Sequence, residues 1–168
     1  MTATRTPLVA QARIDTPLGP MLAAATATGL AGLWFDGQAH HPGPIDAPID
    51  AEQRWIVAAR HALATYFDGQ AAAVELPPLD LHGTPFQQAV WRALRRLAAG
   101  QTAHYAQIAQ QAGSPAAVRA AGAAIGRNPV WIVVPCHRVL GRDGGLTGYA
   151  GGLDRKRALL RLEGVAVA

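Results

Sequence analysis

Hydrophobic positions in the first 35 residues come in three short runs, Leu8–Ile14, Met21–Thr26 and Leu30–Phe35. Turn formers separate them: Asp15 to Gly19 with Pro20 after it, Thr28-Gly29, and Asp36-Gly37 after the third. This punctuation predicts an antiparallel meander, although the alanine content of the second run suits a strand poorly. Residues 38–49 hold Pro42, Gly43, Pro44 and Pro48 and predict a loop. Apolar residues at 55, 56, 59, 63, 66 and 67 then share one helical face. Asp50 and Gln53 stand in capping-box spacing ahead of that face, and Asp68-Gly69 stops it. Pro77-Pro78 and Gly83 fall in a non-periodic stretch, 70–83, which divides the chain into 1–80 and 81–168.

The second half is patterned for helices. Thr84-Pro85-Phe86-Gln87 supplies an N-cap threonine, a proline at the first helical position and a glutamine three residues after the cap. Phe86, Val90, Trp91, Leu94 and Leu97 continue at helical spacing to Gly100. A short helix from about His104 to Ala112 stops at Gly113, and Ser114-Pro115 opens another that reaches about Ile125. Two short helices across a tight glycine turn predict a helix-turn-helix, a pattern that any αα-hairpin shares. The latter helix carries almost only small side chains around Arg119. Asn128-Pro129 leads into a branched apolar run, Val130 to Val134, that predicts a buried strand ending at Cys136. Gly141 to Gly145 reads as a turn, and 148–152 as a glycine-rich loop without the context of a phosphate loop. A last helix, Asp154 to about Glu163, sets Arg155, Lys156, Arg157 and Arg161 on a basic face, against Leu159, Leu160 and Leu162. The expected architecture is an α/β N-terminal domain, an antiparallel sheet plus helix, followed by a mostly helical, winged helix-turn-helix-like domain.

Charge sharpens this division. Residues 1–81 hold 4 arginines against 8 acidic residues, and residues 82–168 hold 11 basic against 3 acidic, so the halves carry −4 and +8. A basic half suits a polyanionic partner; a solvated basic face is the competing reading. Met1–Ala10 lacks a signal-peptide apolar core, and Met21–Phe35 is too short to span a bilayer. With a single cysteine, these features point to the cytoplasm and to no membrane partner.

That cysteine lies in Pro135-Cys136-His137-Arg138-Val139. A thiol attacks only as thiolate, and a nearby imidazole is one way to generate it. Adjacency does not establish this, because neighbours on an extended segment point to opposite faces. A buried structural thiol remains the other reading. Five histidines (His40, His41, His61, His82 and His104) form no metal-ligand spacing, and no metal is expected.

Taken in order, Tyr105, Arg119, Asn128-Pro129, Pro135 to Val139, Gly148-Tyr149-Ala150-Gly151-Gly152, Leu159-Leu160 and Glu163-Gly164 resemble the O6-alkylguanine-DNA alkyltransferase family, the DNA-protein cysteine methyltransferases. The resemblance covers residues 84–164. It implies that Cys136 accepts the alkyl group, that His137 draws the thiol proton through a water, that Glu163 orients His137, and that Asn128 holds the site's backbone. Tyr105 would turn the DNA backbone and assist the guanine. Arg119 would fill the gap left by a flipped base, and Ala120, Gly122 and Arg127 would lie along the DNA. The Cys136 and Val139 carbonyls and the Ala150 N–H would read the guanine, in a pocket shared with Tyr149, Trp131 and Pro135. The implied partner is double-stranded DNA bearing an alkylated guanine, met by a monomer in one turnover and without a cofactor. The N-terminal cysteines with which some members bind zinc are absent here, as is a second methyl-accepting cysteine. Ala150 stands where other members have serine, and Trp131 is large; both bear on the alkyl group accepted. A non-catalytic lesion sensor or winged-helix regulator, and a Cys-His hydrolase, are the competing functions.

Overall fold

The computed structural model describes residues 5–167. Three antiparallel strands, β1 (Leu8–Ile14), β2 (Met21–Thr26) and β3 (Leu30–Phe35), form one sheet in chain order. The alanines of β2 find their reason here. Ala23, Ala24 and Ala25 are fully buried, so the central strand is covered on both faces, where small side chains admit close neighbours. Both sheet edges are paired. On the β1 side, Gln11 N–H donates to Pro48 and the Gln11 carbonyl accepts from Asp50. On the β3 side, Leu30 pairs with the 78–80 segment, and Leu33 pairs with Pro129 and Trp131. The sheet thus holds the stretch that leads to Cys136 by backbone hydrogen bonds that an open edge would leave unmade.

Helix α1 (Arg54–Phe67) packs on the sheet through Ile56, Ala59 and Leu63. Its cap differs from the expected Asp50–Gln53 box. Gln53 is itself the N-cap and accepts from Trp55 and Ile56 N–H, whereas the Asp50 carboxylate accepts from Glu52 N–H. Residues 70–83 hold one 3-10 turn (Ala71–Ala73) and then run beside the β2–β3 turn. There a Cβ on Gly29 would meet the Pro78 carbonyl at 2.8 Å.

Helix α2 (Pro85–Arg95) opens on the predicted capping box, Thr84 with Gln87, and ends before Leu97. Trp91 Nε1 donates to the Ala124 carbonyl at 2.9 Å and fixes α2 against the helix that carries Ala124. Strand β4 (Ala103–His104) leads into α3 (Tyr105–Gln111), then a turn at Gly113 (φ 82°), then α4 (Val118–Gly126). Ser114-Pro115 does not open α4. These residues complete a turn in which the Ser114 carbonyl accepts from Ala117, and the helix starts three residues later than its proline suggested. Strand β5 (Val139–Leu140) pairs parallel to β4, and α5 (Leu153–Leu162) closes the chain. Buried side chains from both halves form one apolar cluster. Among the described residues no helix is long and apolar enough to cross a membrane. Residues 1–4 of the segment judged for a signal peptide lie outside the described residues.

Candidate active site

The run Val130–Val134 is buried as expected, but it is not a strand. Ile132 sits at φ 71° while Val133 N–H donates to the Trp131 carbonyl at 2.8 Å, the signature of a positive-φ γ-turn. A β-branched residue in that region costs on the order of 1–3 kcal/mol and persists only where its surroundings over-determine it. Here the bridge to β3 and the Val134–Val130 hydrogen bond do so. A second tight turn follows. Pro135 (φ −84°, ψ 64°) lets Cys136 N–H reach the Val134 carbonyl at 2.9 Å. Cys136–Arg138 then forms a 3-10 turn, so Cys136 and His137 are not alternating residues of a strand.

The thiol is almost fully buried and accepts a hydrogen bond from Asn128 Nδ2 at 3.2 Å. The same amide donates to the Val134 carbonyl, and Asn128 Oδ1 accepts from Val130 N–H, so one side chain stitches both ends of the segment together. Burial pushes the Cys136 thiol up to about 11, against the opposing pull of Asn128 and Lys156. The resting group is therefore a protonated thiol. Its reaction with iodoacetamide is expected to be slow at neutral pH and to climb as pH rises toward that value. Rapid modification at pH 7 would show that the thiolate already exists in the free protein.

Behind the thiol lies a clamp. Glu163, the C-cap of α5, has a fully buried side chain. Its Oε1 accepts from His137 Nε2 at 2.7 Å, Arg138 at 2.8 Å and the Tyr66 hydroxyl at 2.8 Å; its Oε2 accepts from Arg138 Nε at 2.8 Å. Burial alone would raise the carboxyl, but the bonds from His137 and Arg138 outweigh it and hold it well below the usual carboxylate range. His137 is wholly buried, and burial keeps its imidazole below the ordinary value in spite of Glu163. It is thus neutral, with the Nε2 proton directed at Glu163 and Nδ1 left as an acceptor. Among the described residues that Nδ1 is buried without a hydrogen-bond partner, and the buried Tyr149 hydroxyl faces the Cys136 thiol. No direct hydrogen bond joins Cys136 Sγ to His137 among the described residues. An unpartnered buried acceptor beside a nucleophile marks where a ligand or a bridging water fits.

Cys136 lies at a cavity of about 210 Å³ whose walls include Tyr105, Gly122, Trp131, Gly148, Tyr149 and Ala150. Trp131 and Tyr149 pack at 4.7 Å between ring centroids, and Trp131 Nε1 donates to the Asn128 carbonyl. The glycine-rich loop is held from two sides. Tyr105 and Lys156 both donate to the Thr147 carbonyl, at 3.0 and 3.1 Å. Arg155 bonds the Leu18 and Gly151 carbonyls and stacks on Phe35, and Ala39 N–H donates to the Ala150 carbonyl.

The expected site residues divide by place. Cys136, His137, Glu163 and Asn128 form the core of the site, and Tyr105, Gly122, Trp131, Tyr149 and Ala150 surround the cavity. Arg119 and Ala120 are exposed on α4, and Arg127 is exposed at its C-cap. Pro135 lines a different cavity, on the Tyr66 side, and Val139 pairs with Ala103; neither is a wall of the Cys136 cavity. The Cys136 carbonyl already accepts from Val139 N–H. Lys156 is buried and does not belong to a solvent-facing basic side of α5. Its spacing to Leu159 and Leu160 places it on the apolar stripe, a signal the charge conceals. The sequence assigns Tyr66, Arg138 and Lys156 no part in the site. The signal for Tyr66 is a hydroxyl on a buried stripe, which needs a partner. Among the described residues no group of three or more His, Cys, Asp or Glu is placed to hold a metal.

The fold and site together define a helix-turn-helix protein with a buried thiol, a neutral histidine beside it and a clamped carboxylate behind. Residues 85–165 match the family model described as 6-O-methylguanine DNA methyltransferase, DNA binding domain. A Mycobacterium tuberculosis protein named methylated-DNA–protein-cysteine methyltransferase is 45% identical over 150 residues, 89% of each chain. A Salmonella typhimurium protein of the same name is 58% identical over 102 residues, 61% of this chain and 60% of its own length. The crystal structure of Mycobacterium tuberculosis OGT in complex with DNA superposes with a TM-score of 0.83 at 43% identity, covering 92% of both chains. This chain belongs to the methylated-DNA–protein-cysteine methyltransferase family.

Proposed function

We propose that this protein repairs DNA by direct reversal, taking a methyl or other alkyl group from O6 of guanine onto Cys136. The observation that carries the reading is a buried thiol at a cavity, beside a histidine whose Nδ1 has no hydrogen-bond partner among the described residues and whose Nε2 is held by Glu163. The Cys136 proton passes to His137 Nδ1, through a water. The thiolate then forms a C–S bond to the alkyl carbon as the C–O6 bond breaks and leaves its electron pair on the guanine. A returned proton yields neutral guanine, with Tyr105 at the cavity wall to assist it. The roles follow the triad logic of nucleophile, base and orienter. The thioether does not hydrolyse, so the chain is spent after one event and needs no cofactor.

A guanine inside a duplex must be extruded to reach Cys136. Arg119, exposed among small side chains on α4, is suited to fill the vacated stack, with Ala120, Gly122 and Arg127 along the DNA. The relatives' names and the DNA-bound neighbour support this partner, which we expect a single copy of the chain to meet. The basic second half, from residue 81, serves as the DNA-binding unit and residues 1–80 as its support. A reducing cytoplasm would keep the lone thiol competent.

Transfer of labelled methyl from an O6-methylguanine duplex is expected to stop at one equivalent per chain. Binding without transfer would instead favour a lesion sensor or winged-helix regulator. Repeated turnover of an ester or peptide would favour a Cys-His hydrolase.

A further inference from the structure

The N-terminal half contributes a side chain to the clamp behind Cys136. Tyr66, on α1, is buried, and its hydroxyl donates to Glu163 Oε1 at 2.8 Å. The hydroxyl also lies 3.5 Å from His137 Nε2, and the two rings meet edge-on with centroids 6.3 Å apart. Oε1 therefore receives three donors, from Tyr66, His137 and Arg138. A carboxylate oxygen shared by three donors gives each of them less than it would give two.

We propose that Tyr66 is a positioning residue of the reactive centre, which draws on Glu163 Oε1 and so limits how strongly that carboxylate stabilises a proton on His137. This rests on the reading that His137 serves Cys136 as base. A base must be neutral to accept, and a carboxylate at 2.7 Å pulls the imidazole toward the protonated form. Tyr66 and Arg138 oppose that pull from the carboxylate side. Burial and the Glu163 charge raise the phenol far above its ordinary value, so it remains an O–H donor across the working range. The groups that face His137 are Glu163 and Lys156 from α5, Arg138 beside it in the turn, and Tyr66 from α1. Of these, Tyr66 comes from outside the segment matched by the DNA-binding family model.

Tyr66→Phe removes one oxygen and keeps the ring that packs on Phe67 and His137. The test follows His137 ring NMR shifts against pH in the full chain without DNA, together with single-turnover methyl transfer from an O6-methylguanine duplex over the same range. In Tyr66→Phe the His137 midpoint is expected to move upward. The transfer rate at the acid end should fall about three- to tenfold, while the alkaline plateau stays within about twofold. Superimposable His137 titrations in the two proteins would overturn the proposal. So would a rate loss equal at every pH, which is what a packing role would give. If the native chain transfers no methyl, the functional reading fails, but the His137 titration still decides the role of Tyr66.

Discussion

Glu163→Ala is expected to lower stability by about 3–5 kcal/mol at neutral pH and to remove alkyl transfer. The size follows from what the substitution leaves behind. Arg138 loses both of its bonds to the carboxylate and, among the described residues, its side chain keeps only the Leu97 carbonyl, while it is 10% exposed. His137 loses its acceptor at the same time, and Tyr66 is left with the Leu159 carbonyl at 3.5 Å. Breaking one side of a buried ion pair is costly because the remaining charge stays buried. Native stability is about 5–15 kcal/mol in total, so the variant is expected to be marginal. The pH dependence has a definite sign. A carboxyl held below its unfolded value contributes stability that is present above roughly pH 4.3 and lost as pH falls below it. The gap between the native chain and Glu163→Ala should therefore be widest at neutral pH and shrink on acidification. Melting curves from pH 7 down to about pH 3 read it, and a gap constant with pH would mean that Glu163 is not ionised in the folded chain.

Arg119→Ala is expected to slow repair of a duplex by about one to two orders of magnitude, while reaction with free O6-methylguanine changes little. The estimate comes from the few kcal/mol needed to unstack a base, part of which a wedge recovers by filling the gap. Arg119 is exposed on α4, away from the clamp that sets the chemistry at Cys136. Single-turnover rates on the duplex and on the free base separate the two steps. Equal losses on both would place Arg119 in the chemistry or in folding, and would remove the wedge from the account.

How much of this was legible before the fold was known depends on whether the signal was local. The three strands, the capping box at Thr84 and the Gly113 turn are written in neighbouring residues, and the structure has them at those places. Branched apolar residues favour strands, so the Val130–Val134 run predicts one. The β3 edge and the Asn128 side chain override that preference and fold the run into a γ-turn at Ile132. The start of α4 moved because Ser114-Pro115 completes the preceding turn. Lys156 and Tyr66 were obscured for another reason. Residue type suggested a surface charge and a core aromatic, whereas both polar tips find partners far along the chain or across the loop. The pairing of Glu163 with His137 and Arg138 spans 25 or more residues, and only the motif's resemblance, not its spacing, pointed to the first of them.

The measurement that tests the central claim most directly is the intact mass of the protein after incubation with an O6-methylguanine duplex. The native chain should gain the mass of one methyl replacing one hydrogen, located on the peptide that contains Cys136, and Cys136→Ser should gain nothing. An unchanged native mass, or an equal gain in Cys136→Ser, would contradict alkyl transfer to Cys136.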